Sequence, residues 1–102
     1  MDLKLWKPEN YGKKFYGPST LRTGIEKSRN LMTVRIAQSL GFEKISKISK
    51  TLDVYDSVPE LLSVSLGSNE TTLLRLTSAY CTFPNGGKKV KPIFINSINY
   101  FK

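Results

Sequence analysis

The spacing of apolar residues changes once along this chain, and that change fixes most of what it can fold into. Between Leu21 and Leu52, and again from Leu73 to Phe83, apolar side chains return every three or four positions, the period of a helix face. From Val90 onward Ile93, Ile95 and Ser97 alternate with Phe94, Asn96 and Ile98, the period of a strand. Pro84-Asn85-Gly86-Gly87 separates the two regimes with a tight turn. The expected fold is therefore mainly α, with a β segment at the C-terminal end.

The helices can be placed one by one. Ser19 or Thr20 can cap a first helix carrying Leu21 and Ile25 on one face. Gly24 sits inside it at a cost of about 1 kcal/mol against alanine, and either admits a close neighbour or is incidental. Asn30–Leu40 reads as a second helix, with Met32, Ile36 and Leu40 in one stripe widened by Leu31 and Val34. It is expected to be largely buried and to stop at Gly41. Ile45, Ile48 and Leu52, interleaved with Lys44, Lys47 and Lys50, predict a one-sided amphipathic helix. Leu61-Leu62-Ser63-Val64-Ser65-Leu66 alternates weakly, as a short extended stretch would. Asn69 then looks like a cap, with Glu70 in the first turn of a fourth helix whose stripe is Leu73, Leu76, Tyr80 and Phe83. Residues 1–18 are rich in Pro, Gly and Asn, and read as an irregular segment anchored by Trp6, Tyr11, Phe15 and Tyr16.

Composition narrows the function. At 102 residues the chain is one small domain or a piece of a larger one, and 39% hydrophobic content is enough for a core. The net charge of +8 raises nucleic acid or another anionic polymer as partner. The lysines, however, fall in three separate groups, around Lys4–Lys14, Lys44–Lys50 and Lys88–Lys91, as solvated faces do. With no histidine, the commonest general base and zinc ligand are absent. Cys81 is the single cysteine, expected as a buried apolar thiol beside Ala79, Tyr80 and Phe83. No apolar run approaches the ~20 residues of a membrane span. Met1-Asp2-Leu3-Lys4 lacks the apolar stretch of a signal peptide, so a targeting segment is expected outside this sequence.

No metal-ligand cluster or phosphate-cradling glycine loop is present, and no cofactor is expected; Asn85-Gly86-Gly87-Lys88-Lys89 has the wrong spacing for phosphate. The carboxylates are too few and scattered for paired acid–base work. One polar cluster remains, Ser28-Arg29-Asn30 between two apolar helices. In a continuous helix, residues two apart point nearly opposite ways. Ser28 and Asn30 can face one cleft only if the backbone leaves the helix there; otherwise the cluster is an ordinary junction with Asn30 as a cap.

The residues around that cluster resemble the transpeptidase domain of class A high-molecular-weight penicillin-binding proteins. Trp6-Lys7-Pro8-Glu9-Asn10-Tyr11 is similar to the aromatic-x-Pro-x-Asn-Tyr stretch that opens it. Thr20-Leu21-Arg22 with Ser28-Arg29-Asn30 resembles its helix leading into the Ser-x-Asn motif. Leu66-Gly67 with Glu70 and Thr72, and Ala79-Tyr80 with Phe83-Pro84-Asn85-Gly86-Gly87, resemble two later stretches in the same order. Gly24 departs from the pattern, where alanine is often found. The resemblance implies that residues 1–102 are part of the α/β penicillin-binding transpeptidase fold, shared with serine β-lactamases. It implies a cleft lined by three motifs: Ser-x-x-Lys with the nucleophile, Ser-x-Asn, and Lys-Thr-Gly. Only Ser-x-Asn is present; no serine is followed three residues later by lysine, and Lys50-Thr51 continues to Leu52. The nucleophile is expected before Met1 and Lys-Thr-Gly after Lys102.

By resemblance, Ser28 would relay a proton, and Asn30 would hold the substrate's backbone carbonyl and help orient the first-motif lysine. Arg29 would be a scaffold charge. The parent would crosslink peptidoglycan stem peptides through an acyl-serine, bind β-lactams, and face the periplasm or outer side of the membrane. Its family usually adds a glycosyltransferase domain and an anchor. The partners implied are stem peptides, β-lactams and the rest of the domain, with self-association through the unpaired C-terminal strand. The competing reading, a small basic helical nucleic-acid-binding module, suffers from a second helix too apolar to read base edges.

Overall fold

The computed structural model describes residues 5–101. Met1–Lys4 and Lys102 lie outside the described residues, so the expected irregular start is tested from Leu5 on. Four helices follow in chain order: α1 Leu21–Glu26, α2 Asn30–Leu40, α3 Phe42–Thr51 and α4 Leu73–Tyr80. A 3-10 turn spans Leu62–Leu66.

Local chemistry sets these boundaries. The Thr20 side chain accepts from the Thr23 amide and opens α1. Gly41, at φ 87°, closes α2 and lets the chain turn directly into α3. Thr72 caps α4 by accepting from the Arg75 amide. The expectation of Asn69 as cap, with Glu70 in the first turn, is corrected by this. Asn69 Nδ2 donates to the Ser57 carbonyl, and the Thr71 hydroxyl to that of Val54. Residues 69–71 are thereby strapped to the 54–57 loop, and the helix begins only beyond them.

Two further expectations change. Leu61–Leu66 is not extended: the Val64 amide reaches the Leu61 carbonyl and the Gly67 amide the Val64 carbonyl, at 3.1 and 3.0 Å. A run this short, ended by left-handed Gly67, coils into a 3-10 turn where no strand lies beside it. The predicted C-terminal β segment is not formed either. No strand occurs among the described residues, and Ile93, Phe94, Ile95 and Ile98 are exposed. Alternation supplies the right side chains, but a strand exists only once its backbone groups pair with a neighbour.

The core is small. Val34 and Ala37 of α2, Val64 of the 3-10 turn and Ala79 of α4 are its buried apolar residues, with α2 packing on both the 3-10 turn and α3. Helix α2 is thus buried along one narrow line only, and Leu40 is exposed. The α4 stripe of Leu73, Leu76, Tyr80 and Phe83 faces outward, and Cys81 is half-buried rather than buried. The accessible surface is 9305 Å², whereas a compact chain of 11.5 kDa would expose roughly 5,800 Å². The radius of gyration, 18.3 Å, likewise exceeds the roughly 13 Å of a compact domain this long.

Gly24 has a packing role. A Cβ there would land on the thioether of Met32, which fills the space where α1 meets α2. Gly24→Ala should therefore change stability by less than about 1 kcal/mol, its helix gain of about 1 kcal/mol being offset by displaced packing. In a Met32→Ala background the same change should stabilise by about 1 kcal/mol. A double-mutant cycle in urea reads the difference.

Arg75 of α4 ties down the segment after α3. Its Nε donates to the Asp53 carbonyl, and its two terminal nitrogens grip the Asp56 carboxylate at 3.2 and 2.9 Å. Hydrogen bonding from Arg75, and then its charge, hold the Asp56 carboxyl below its ordinary range, against a small opposing effect of burial. A depressed folded pKa contributes stability above the unfolded value of about 4, lost as pH falls through the folded value. Acid titration should show a small stability loss below about pH 4 that Asp56→Asn removes, smaller still at high salt because the pair is exposed.

Candidate functional site

The junction between α1 and α2 departs from helix in two steps. Lys27 ends α1, and Ser28 then takes φ 52°, a left-handed conformation that glycine favours. The Ser28 amide donates to the Ile25 carbonyl at 3.1 Å, and the Arg29 amide to the Gly24 carbonyl at 2.9 Å. This is the Schellman closure of a helix, with serine where glycine usually stands. Arg29 is extended and forms the N-terminal boundary of α2, without a side-chain cap of its own. Between the predicted alternatives for Ser28-Arg29-Asn30, the break is present, and Asn30 is the first helical residue rather than the cap.

The cap comes from 21 residues away. Asn10 Oδ1 accepts from the Leu31 amide at 3.1 Å, filling the place an N-cap side chain would take. Asn10 Nδ2 donates to the Lys14 carbonyl at 2.8 Å, and the Lys13 amide returns to the Asn10 carbonyl. Asn10 is the buried polar side chain of the described residues, and both ends of its amide are used. Next to it, Asn30 Nδ2 donates to the Glu9 carbonyl at 2.9 Å. The Arg29 guanidinium lies on the face of Tyr16, 3.2 Å from the ring centroid. Arg29, Asn30 and Leu31 are each fastened once to the loop 9–16.

Ser28 is exposed beside this fastened trio, and Asn30 is half-buried. One N–H of the Asn30 amide is committed to Glu9, which leaves a second N–H and the oxygen as donor and acceptor. Below the junction an open groove is lined by Phe15, Tyr16, Pro18, Arg29, Met32 and Arg35. Of the aromatic anchors predicted for residues 1–18, Tyr16 acts as one; Trp6 is half exposed, and Tyr11 and Phe15 are exposed. Sequence reasoning gave Asn10 and Tyr16 no role here. The one available signal was their place in a breaker-rich loop that carries both side-chain amides and rings. No group of acidic, cysteine or histidine side chains among the described residues could hold a metal ion.

Comparison with known proteins bears on this junction. A family model described as the penicillin binding protein transpeptidase domain matches residues 2–102. The chain belongs to that family. It is 52% identical over 93 residues to penicillin-binding protein 1A of Rickettsia bellii, covering 91% of this chain and 12% of the relative. It is 40% identical over 96 residues to penicillin-binding protein 1A of Pseudomonas aeruginosa, covering 93% of the chain and 12% of the relative. Against penicillin-binding protein 1A of Aquifex aeolicus it is 39% identical over 93 residues, covering 91% of the chain and 13% of the relative. The chain thus spans about an eighth of the length of the curated relatives it matches. No solved structure matches it.

Proposed function

We propose that residues 1–102 form the Ser-x-Asn wall of a peptidoglycan D,D-transpeptidase, with Ser28 as proton relay and Asn30 as substrate-holding amide. The observation that carries this reading is the left-handed Ser28 at the exposed break between two helices, beside a residue pair fastened to a second segment. A non-glycine residue held in that conformation costs of order 1 kcal/mol or more; Lys13 and Asp53 share it, and Ser28 differs from them in opening the Ser-x-Asn match.

The chemistry follows from the groups present. A serine nucleophile attacks the penultimate carbonyl of a stem peptide, a C–O bond forms, and the terminal D-alanine leaves as an amine. That amine must take up a proton. A hydroxyl both donates and accepts, so Ser28 can hand its proton to the leaving nitrogen and recover one from the nucleophile's side. The free Asn30 N–H suits a substrate carbonyl, and its oxygen suits a lysine ammonium. β-Lactams enter the same route as stem-peptide mimics.

The sequence holds no Ser-x-x-Lys and no Lys-Thr-Gly, and an acyl-enzyme needs its nucleophile. The longer protein supplies both, along with the surfaces that cover the outward stripe of α4 and the neighbour that pairs with residues 93–98. Left alone, those apolar segments favour self-association. The relatives' name, penicillin-binding protein 1A, supports a penicillin-binding parent; a glycosyltransferase domain, a membrane anchor and work on the outer side of the cell membrane are the further parts of this proposal. No helix among the described residues is long and apolar enough to cross a membrane.

Fluorescent-penicillin labelling on a denaturing gel tests the reading. The full gene product is expected to label and the 102-residue chain to give no band. An unlabelled full product would contradict a transpeptidase parent, and label on the short chain would contradict a nucleophile outside it.

A further inference from the structure

Three consecutive residues after Ser28 are fastened to one loop, and two of the fastenings are ordinary backbone satisfaction. The third is different. Arg29 has open solvent available and instead lies flat on Tyr16, 3.2 Å from the ring centroid. A guanidinium on an aromatic face gains from the ring's charge distribution and gives up little hydrogen-bonding freedom. The contact joins the residue between Ser28 and Asn30 to the end of a loop whose start, through Glu9 and Asn10, already holds Asn30 and Leu31. Tyr16 is itself placed by that loop, which Asn10 folds back by binding the Lys14 carbonyl.

We propose that Arg29 and Tyr16 are positioning residues for the Ser-x-Asn motif: the stacked pair sets the direction in which Ser28 and Asn30 present their side chains. The inference rests on the transpeptidase reading. With Ser28 left-handed and Arg29 extended, the backbone dihedrals between them and Asn30 set how the hydroxyl lies relative to the amide. A guanidinium clamped on a ring restrains those dihedrals. Hydrogen bonds at Asn30 and Leu31 fix the start of α2, and those of the Ser28 and Arg29 amides close α1; the clamp ties the extended residue between the two helices to a third segment, the loop. Displacements of about 1 Å at a reacting group cost up to roughly 10²-fold in rate.

The test uses the full gene product and its rate of acylation by a β-lactam, split into non-covalent binding and the acylation step. Arg29→Ala and Tyr16→Leu should each slow the acylation step about tenfold while leaving binding and the unfolding midpoint nearly unchanged. Tyr16→Phe, which keeps the ring face, should retain the rate, and adding Arg29→Ala to Tyr16→Leu should slow it no further. Equal slowing by Tyr16→Phe and Tyr16→Leu, or full additivity of the two substitutions, would overturn the clamp. So would acylation unchanged in Arg29→Ala and Tyr16→Leu, and that result would leave the transpeptidase reading intact. An unsubstituted protein that is never acylated would remove the reading and this inference together.

Discussion

Asn10→Ala is expected to destabilise the protein by about 1.5–2.5 kcal/mol, the largest stability effect of any single polar substitution near the junction. Asn10 is buried, and both ends of its amide are committed. Its oxygen is the acceptor for the Leu31 amide at the start of α2, which has no cap from Arg29. Losing a helix cap costs about 1 kcal/mol, and losing the part-buried hydrogen bond to the Lys14 carbonyl adds about 0.5–1.5 kcal/mol. Asn10→Asp discriminates the two halves. The carboxylate keeps an acceptor for Leu31 and places negative charge at the positive end of α2, worth about 0.3–1 kcal/mol. It loses the donor to Lys14 and sets a carboxylate oxygen against that carbonyl in a buried place, so at neutral pH its cost should reach that of Asn10→Ala, falling toward about 1 kcal/mol below about pH 4, where the protonated acid can donate. The urea midpoint of the full gene product, at unchanged slope, reads both. Equal losses for Asn10→Ala and Asn10→Asp at acid pH as well would show that the remote cap carries little weight.

The second large effect concerns Ser28, where stability and activity should move apart. Ser28→Ala removes the hydroxyl and keeps a side chain at φ 52°. Stability should stay within about 0.5 kcal/mol, as for an exposed surface substitution, while β-lactam acylation falls by roughly 10²–10⁴-fold, the range for loss of a positioned proton-transfer group. Ser28→Gly removes the hydroxyl and the left-handed strain together. It should stabilise the protein by about 1 kcal/mol and lower acylation to the same extent as Ser28→Ala. If serine served only as the closing residue of α1, Ser28→Gly would be the better protein by both measures. Retained acylation in Ser28→Gly is therefore the outcome that counts against the proton relay.

Helix positions were legible where the signal was local. The stripe from Asn30 to Leu40 and the glycine after it gave α2 with its ends, and the start of α1 was expected at Ser19 or Thr20, of which Thr20 is the cap. At Ser28-Arg29-Asn30 the sequence left two readings open, a break or an ordinary junction capped by Asn30, because residues two apart cannot share a face in unbroken helix; the structure has the break, with Asn30 inside α2. What stayed hidden depends on distant segments. A cap delivered by Asn10 from 21 residues upstream leaves no mark beside the helix it caps. The stacking of Arg29 on Tyr16 is likewise a meeting of two segments, and Arg29 alone reads as a surface charge. Asn69 and Thr72 are both good caps in isolation, and the choice fell to Thr72 because Asn69 and Thr71 bind the preceding loop.

Burial was the least legible property, for one physical reason. Hydrophobic stripes report which face wants to leave water, and not whether anything is there to cover it. The stripe of α4 and the alternating residues 93–98 have the composition of buried elements and are exposed. Basic side chains show the converse. Arg22 pairs with Glu26, Arg75 with Asp56 and Lys89 with Asp53, so these basic side chains are engaged in scaffold contacts rather than gathered into one face.

The most direct measurement is to locate the acyl group. The full gene product would be treated with a β-lactam, digested and mapped by mass spectrometry. A chain that forms only the Ser-x-Asn wall predicts an adduct on a serine outside residues 1–102, and an unmodified peptide containing Ser28. An adduct on Ser28, or on any other serine within the 102 residues, would contradict that assignment.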